Sequence, residues 1–466
     1  MIYLIGLYVF TRDFVSTFWL GLLATLPLAK GKTLSFEIIS KADLINRNAV
    51  FDINYIFSVY LADFVLGLLI WQLVRQILTW SKPKWLIWGQ IFYQQRWLGL
   101  SFLGFLLVCL LPQLDSKFST IVWLSSLQLI KLAGLFLIPS LIFTKIGVIE
   151  KATWQILLGG IFFQTAWASW QFHSGGPIGK YLEAILPLGN TNEAVALGTM
   201  ENPDLLRVTG TFFDPSLLAT YLVTVMIWLW WERHRIQPKW LIWAGLIAGS
   251  GSLILTSNRI LMIFLGFWWL WQAYHWVRTW YWQRIFDLAR RQLWLILGGL
   301  ALGIWLLPYI LARFTTLGTA FDTYGSGTYR IQLGWYAMRL GFGQPWGVGL
   351  NLSPYYLATQ FNQETVSFDP SHPHNLFLQI FAETGWLGLV LALSWLYLIY
   401  RPIQIGKKLD WQLTSWGAGG LAFLIAAQFY PVFLSQIEIV SWLALMLGGH
   451  WAWRLNQIQH QKLELS

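Results

Sequence analysis

The residue types best suited to chemistry gather between Ser371 and Leu389, in the run SHPHNLFLQIFAETGWLGL. Two histidines, His372 and His374, flank Pro373, and Asn375 follows. Pro373 disfavours a helical His372 and suits the first position of a helix, which predicts His374 and Asn375 in the first helical turn. Unpaired N–H groups make that turn locally positive. The field opposes an imidazolium, so His374 is expected to stay neutral and able to accept a proton. Deeper in the same apolar run lie Glu383 and the pair Gly385 and Gly388, where another element is expected to approach closely. A base at the edge of an apolar helix, above a carboxylate within it, is costly for a purely structural segment and reads as a site.

A second set is cationic. Arg207 precedes GTFFDPSLLATYL, Arg259 follows Thr256-Ser257-Asn258 in a short break between apolar segments, and Arg330 and Arg339 lie in YGSGTYRIQLGWYAMRL. A guanidinium is always charged and forks onto phosphate oxygens, which suits a diphosphate at a membrane surface. Simpler roles exist for each candidate. A lone arginine anchors to lipid headgroups, Asp214 beside Pro215 caps a helix, Glu383 pairs with Lys131 inside the membrane, and His372 with His374 forms a surface pair. No clustered Cys, His or carboxylate set completes a zinc site. The Gly-rich run Gly341–Asn351 resembles no phosphate loop and reads as turns.

The elements that must position these residues are set by composition. The chain has 466 residues, 56% hydrophobic and 11% charged, with a mean hydropathy of +0.53. Soluble domains carry roughly 25% charged residues, so most of this surface faces lipid or other apolar helices. The formal charge of +10 fits basic loops held on the cytoplasmic side, and nucleic acid is not an expected partner. A single cysteine, Cys109, excludes an intrachain disulfide.

Twelve apolar segments are bounded by charge, Pro or Gly clusters, at about 13–30, 55–79, 97–113, 120–143, 152–172, 211–231, 240–256, 259–278, 291–311, 376–400, 413–433 and 438–455. Most approach the ~20 residues that cross a bilayer. The expected fold is therefore all-α: a polytopic membrane protein of about twelve transmembrane helices, forming a single transmembrane domain over 1–466. A long outer loop, 312–375, lies between the ninth and tenth helices, with short helices of its own around Tyr329–Gly341. With the N-terminus cytoplasmic, 19 of the 31 Lys and Arg residues fall inside and 11 outside, with Lys131 within a span. That bias favours the orientation. It puts Arg207, Arg259, Arg330 and His374 at the same outer face. The N-terminal run lacks a basic region before its apolar stretch and reads as retained.

Taken together, these residues resemble the bacterial O-antigen ligase and O-antigen polymerase superfamily of membrane glycosyltransferases. The ligase signature is a His followed by Asn, Ser or Gln, nine residues, Gly, two residues, and a small or aromatic residue. Here His374-Asn375, nine residues, Gly385, two residues and Gly388 match it. Arg207 with Gly210-Thr211-Phe212, Ser257-Asn258-Arg259, and Arg330 followed by Pro345-Trp346-Gly347-Val348-Gly349 complete the ordered series.

The resemblance implies a polyprenyl-diphosphate-linked glycan donor and a glycan or lipid-linked acceptor. Transfer takes place at the periplasmic face of the bacterial inner membrane, with no cofactor and no metal. It casts His374, Arg259 and Arg207 as catalytic residues, with His374 as general base and the arginines on the departing diphosphate. Arg330, Arg339, Asn375, Glu383, Asp214 and His372 stand as substrate-binding candidates. Membrane lipids, and a chain-length regulator if the chain is a polymerase, are the further candidate partners. Polymerase and ligase differ in acceptor, and the reading leans to polymerase or a related exopolysaccharide-assembly enzyme. The competing class is a polytopic transporter of inorganic carbon or lipid-linked glycan, which would spread polar residues through mid-membrane.

Overall fold

A computed structural model of the chain describes residues 13–28, 31–39, 53–79, 96–110, 119–142, 146–175, 207–212, 214–279, 326–361, 373–401, 403–405, 408–410, 413–429 and 437–465, with scattered positions at 89, 93, 297, 301–321 in part. His372 lies outside the described residues. The helices are α1 (Phe14–Thr25), α2 (Leu61–Leu78), α3 (Arg96–Leu110), α4 (Ser119–Ile142), α5 (Ile146–Ser174), α6 (Pro215–Glu232), α7 (Lys239–Leu255), α8 (Arg259–Thr279), α9 (Ser326–Gly343), α10 (Ser353–Phe361), α11 (Leu376–Tyr400), α12 (Ser415–Ala426) and α13 (Ile437–Leu465). Among the described residues, two helical stretches are long and apolar enough to cross a membrane: 123–142 within α4, and α11.

The fold is mainly helical, and among the described residues two short antiparallel ribbons accompany the helices. Strands β1 (Gly31–Ile39) and β2 (Ile53–Tyr60) pair antiparallel, and β3 (Ile403–Ile405) pairs with β4 (Lys408–Asp410). The apolar segment expected from 55 therefore begins as a strand and becomes helical at Leu61. Its opening, INYIFSVY, is rich in β-branched and aromatic residues, which favour a pleated surface over a helix. Within the stretch 312–375, α9 covers the helix expected around Tyr329–Gly341, and α10 follows it.

The chain forms two compact units. The first comprises 1–26, 31–149 and 327–466; the second comprises 27–30 and 150–326. In the first, α4 packs along α13, and α3 along α11. Phe136 of α4 stacks on Trp451 of α13 at 5.2 Å between ring centroids and tilts against Trp395 of α11 at 4.9 Å. The arginine deep in α13 has defined partners. Its guanidinium, Arg454 Nη1, donates to the carbonyls of Leu398 (3.1 Å) and Ile399 in the last turn of α11. A cation there satisfies orphan carbonyls and complements the negative helix end. In the second unit α6 is buried on nearly all sides, as a helix apolar all round must be. Trp230 of α6 meets Trp243 of α7 and Trp268 of α8 edge-on at 5.4 and 5.6 Å.

Candidate functional site

Helix α11 starts later than Pro373 suggests. Asn375 is the N-cap, with extended backbone (φ −158°, ψ 123°), and its side-chain oxygen accepts from Leu378 N at 3.0 Å. His374 thus stands just outside the helix, not in its first turn. An Asn at this position out-competes Pro373 for the helix start because it satisfies an orphan N–H that proline cannot. Asn375 also reaches outward: its Nδ2 donates to Gln428 O at 3.3 Å, while Leu376 N donates to Ala427 O at 2.9 Å. The start of α11 is pinned to the end of α12. His374 is partly exposed, and its ring lies edge-on to Tyr329 of α9, with centroids 6.4 Å apart.

Tyr329 belongs to a buried stripe on α9, with Leu333, Tyr336, Ala337 and Leu340, that packs with Val348, Leu352 and Ala382. Arg330 and Arg339 are both exposed. They lie nine residues apart, close to two and a half turns, so they leave the helix from opposite sides. They do not converge on one ligand from a single helix face. Arg330 is the one adjacent in sequence to the tyrosine that touches His374.

Glu383 is fully buried, and its partner is not Lys131. Its carboxylate accepts from Asn351 N (3.0 Å), Ser353 Oγ (2.9 Å) and Gln379 Nε2 (3.1 Å). Lys131 of α4 instead pairs with Asp63 in the first turn of α2. Glu383 is a knot between α11 and the α9–α10 connection, so a substrate-binding part for it does not follow from its position. The sequence points to Lys131 because it is the only cation in mid-span; a carboxylate buried among hydrogen-bond donors leaves no such signal.

Next to that knot, Gly385 breaks α11 at φ 68°, ψ −173°. A side chain there would strike the backbone carbonyl of Pro345, and one at Gly347 (φ 74°) would strike the backbone at Glu383 and Thr384. The two chain segments touch backbone to backbone, joined by Val348 N to Ala382 O (3.0 Å) and Gly349 N to Glu383 O (2.9 Å). Only glycine offers both the positive φ and the clearance. Of the run Gly341–Asn351, expected to form turns, the first three residues end α9 and the rest forms turns that clasp α11. Gly388 behaves differently: its nearest neighbour is Thr384 of its own helix, not another element.

A cavity of about 110 Å³ is lined by α11 on both sides of this break, by Leu376, Phe377 and Ile380 and by Ala392, Trp395 and Leu396, together with apolar residues of α3, α4, α12 and α13. In a straight helix residues 376 and 396 stand about 30 Å apart. The Gly385 break is what lets both arms line one space. Beside the clasp, Tyr355 and Tyr356 of α10 meet edge-on at 5.2 Å. Partial burial and Tyr355 hold the Tyr356 phenol above its ordinary value, keeping it a neutral donor.

The second unit holds the other arginines. Arg259 opens α8 and is 9% exposed. The tip before it is tight: Ser257 takes φ 55°, Leu261 N donates to Asn258 Oδ1 at 3.2 Å, and Met262 N donates to Asn258 O at 2.9 Å. Asn258 is therefore the cap that sets where α8 and Arg259 begin. Arg207 Nε donates to the carbonyl of Thr256, the C-cap of α7, at 3.1 Å. Arg207 is fastened to the hairpin tip that bears Arg259. Asp214 accepts from Ser216 N at 2.6 Å and caps α6, with Pro215 at the first position. Its observed work is structural, which agrees with the simpler of its two readings.

Residues 244–393 match the O-antigen ligase family model. The match includes Arg259, Arg330, Arg339, His374, Asn375, Glu383, Gly385 and Gly388; Arg207 and Asp214 lie before it. No curated protein matches the chain.

Proposed function

From the match of residues 244–393 to the O-antigen ligase family model, we propose a membrane glycosyltransferase that draws on a polyprenyl-diphosphate-linked glycan at the outer face of a bacterial inner membrane. Its helices form a polytopic bundle of about twelve spans in one transmembrane domain. The observation that carries the reading is the bond from Arg207 to Thr256 O, which ties one guanidinium to the hairpin tip that presents another. Two fixed forks at one tip suit a diphosphate better than two independent lipid anchors.

In this reading the acceptor hydroxyl gives its proton to His374 as its oxygen attacks the anomeric carbon of the donor sugar. The bond from that carbon to the diphosphate breaks, and polyprenyl diphosphate leaves with both electrons. Arg207, Arg259 and Arg330 stabilise the charge that develops on it. Nδ1 of His374 is buried, so Nε2 is the nitrogen we assign to the hydroxyl. Direct displacement inverts the anomeric configuration. The apolar cavity in the elbow of α11, beginning at Leu376 just after Asn375, suits a hydrocarbon chain of a lipid-linked substrate. Asn375 caps and tethers the helix that His374 precedes, and so holds the base in place.

The test is transfer with purified protein and a polyprenyl-diphosphate-linked oligosaccharide. Arg259→Lys keeps the charge but loses the fork, and is expected to lower turnover at least ~10-fold with normal membrane insertion. Turnover equal to the unmodified protein would reduce Arg259 to a lipid contact.

A further inference from the structure

Residues 208–212 hold no regular secondary structure, yet Val208, Thr209, Thr211 and Phe212 are fully buried. A buried irregular backbone must find a partner for each N–H, and here all five have one. Val208 N donates to Leu255 O (3.2 Å), Thr209 N and Gly210 N to Gln171 Oε1 (3.0 and 2.9 Å), Thr211 N to Gln164 Oε1 (3.1 Å), and Phe212 N to Thr209 O (3.1 Å). Three of the five end on two glutamines of α5.

Both glutamines are buried, at 0% and 3% exposure for Gln164 and Gln171. Seven residues apart, they share one face of α5 two turns from each other. Gln171 also donates through Nε2 to Gly210 O at 2.9 Å and Thr209 Oγ1 at 3.3 Å. Its amide therefore uses both acceptor sites and both donors on a single dipeptide. Gln164 donates to Pro27 O at 3.2 Å and Thr211 Oγ1 at 2.6 Å. Reversing either amide would set N–H against N–H, so each side chain has one working orientation. Gly210, at φ 60°, is the residue that lets the backbone turn into this clamp.

This segment leads straight from Arg207, the charged side chain at its head, whose Nε is held by Thr256 O. We propose that Gln171, supported by Gln164, is a positioning residue for Arg207: it fixes the backbone from which the guanidinium reaches the donor diphosphate. The inference rests on the function proposed above, which gives Arg207 that role. A displacement of about 1 Å in a charge-stabilising group can cost on the order of 10²-fold in rate. The glutamines lie outside the arginine and histidine series that resembles the family, and apolar periodicity hides them.

A double-mutant cycle on turnover tests it. Gln171→Met keeps the length and loses every polar contact; Gln171→Glu keeps the two accepted bonds and loses the donations to Gly210 O and Thr209 Oγ1. Each is made in the unmodified protein and in Arg207→Lys, and thermal stability in detergent is followed in parallel. The expected result is a loss of at least ~10-fold for Gln171→Met and a smaller loss for Gln171→Glu. In the Arg207→Lys background both losses shrink to about 2-fold or less, with the donor KM changing less than kcat. Equal fractional losses in both backgrounds, tracking thermal stability, would overturn the inference and leave Gln171 a fold residue. If Gln171→Met does not fold, Gln171→Glu alone decides on the same criterion. Full turnover by Arg207→Lys and by Arg207→Ala would instead remove the function assigned to Arg207, and with it the inference.

Discussion

Asn375 shows how one residue can join a signature to a structure. In sequence it is the partner of His374; in the fold it caps α11 through Leu378 N and ties that helix to Gln428 O. The two roles separate by substitution. Asn375→Asp keeps the acceptor and loses the donor, so stability is expected to fall by less than ~1 kcal/mol. Asn375→Ala loses the cap as well and is expected to cost about 1–2 kcal/mol, read by thermal unfolding in detergent. Similar stability for both would mean that the cap contributes nothing. At this scale the sequence reveals the chemistry-bearing residues because His, Arg and Glu are conspicuous in an apolar chain. It does not reveal their partners. Charge alone matches Glu383 to Lys131, whereas its contacts are a backbone N–H, a hydroxyl and an amide. Gln164 and Gln171 escape a sequence reading because a glutamine in an apolar helix has no periodicity to betray it.

Among the elements, the break in α11 is the feature on which the local geometry turns. It follows from Gly385 alone: positive φ, and the Pro345 carbonyl where a Cβ would be. Gly385→Ala is expected to cost roughly 1–2 kcal/mol for the left-handed backbone, with a further 1–3 kcal/mol or so for overpacking. Gly388→Ala sets its Cβ against Oγ1 and Cβ of the buried Thr384, and is expected to cost about 1–3 kcal/mol for overpacking alone, without the backbone cost added at Gly385. Thermal unfolding of the two variants checks the contrast, and an equal response would show that the clasp is looser than described. The sequence marks both glycines as sites of close approach; only Gly385 is one. Helix placement is largely legible, because charge and Pro or Gly clusters end most apolar runs within a few residues of the observed helix ends. The start of α11 is harder to place, since Pro373 and Asn375 both signal a beginning and the side-chain cap prevails.

For the whole molecule, the apolar segments and the excess of inner Lys and Arg define an orientation that cysteine labelling can examine. In a Cys109→Ala background, a cysteine at Gln344, exposed in the turn after α9, is expected to react with an impermeant thiol reagent from outside. One at His234, exposed after α6, is expected to react only after permeabilisation. Labelling in the opposite sense would move the candidate site to the cytoplasmic face and remove a periplasmic glycosyl transfer. At this scale α9 is legible around Tyr329–Gly341, whereas the β1–β2 ribbon and α10 are not, because a search for spans treats every polar interval as a connection. Apolar length speaks to the membrane and not to what is built between the spans.

The central claim is a proton transfer to His374 during attack on a lipid diphosphate glycan. It is tested most directly by purified His374→Ala, assayed for turnover and, separately, for donor binding. Loss of the base is expected to lower turnover by about 10²–10⁴-fold while the affinity for the donor stays within a few-fold. Turnover within a few-fold of the unmodified protein would contradict the account.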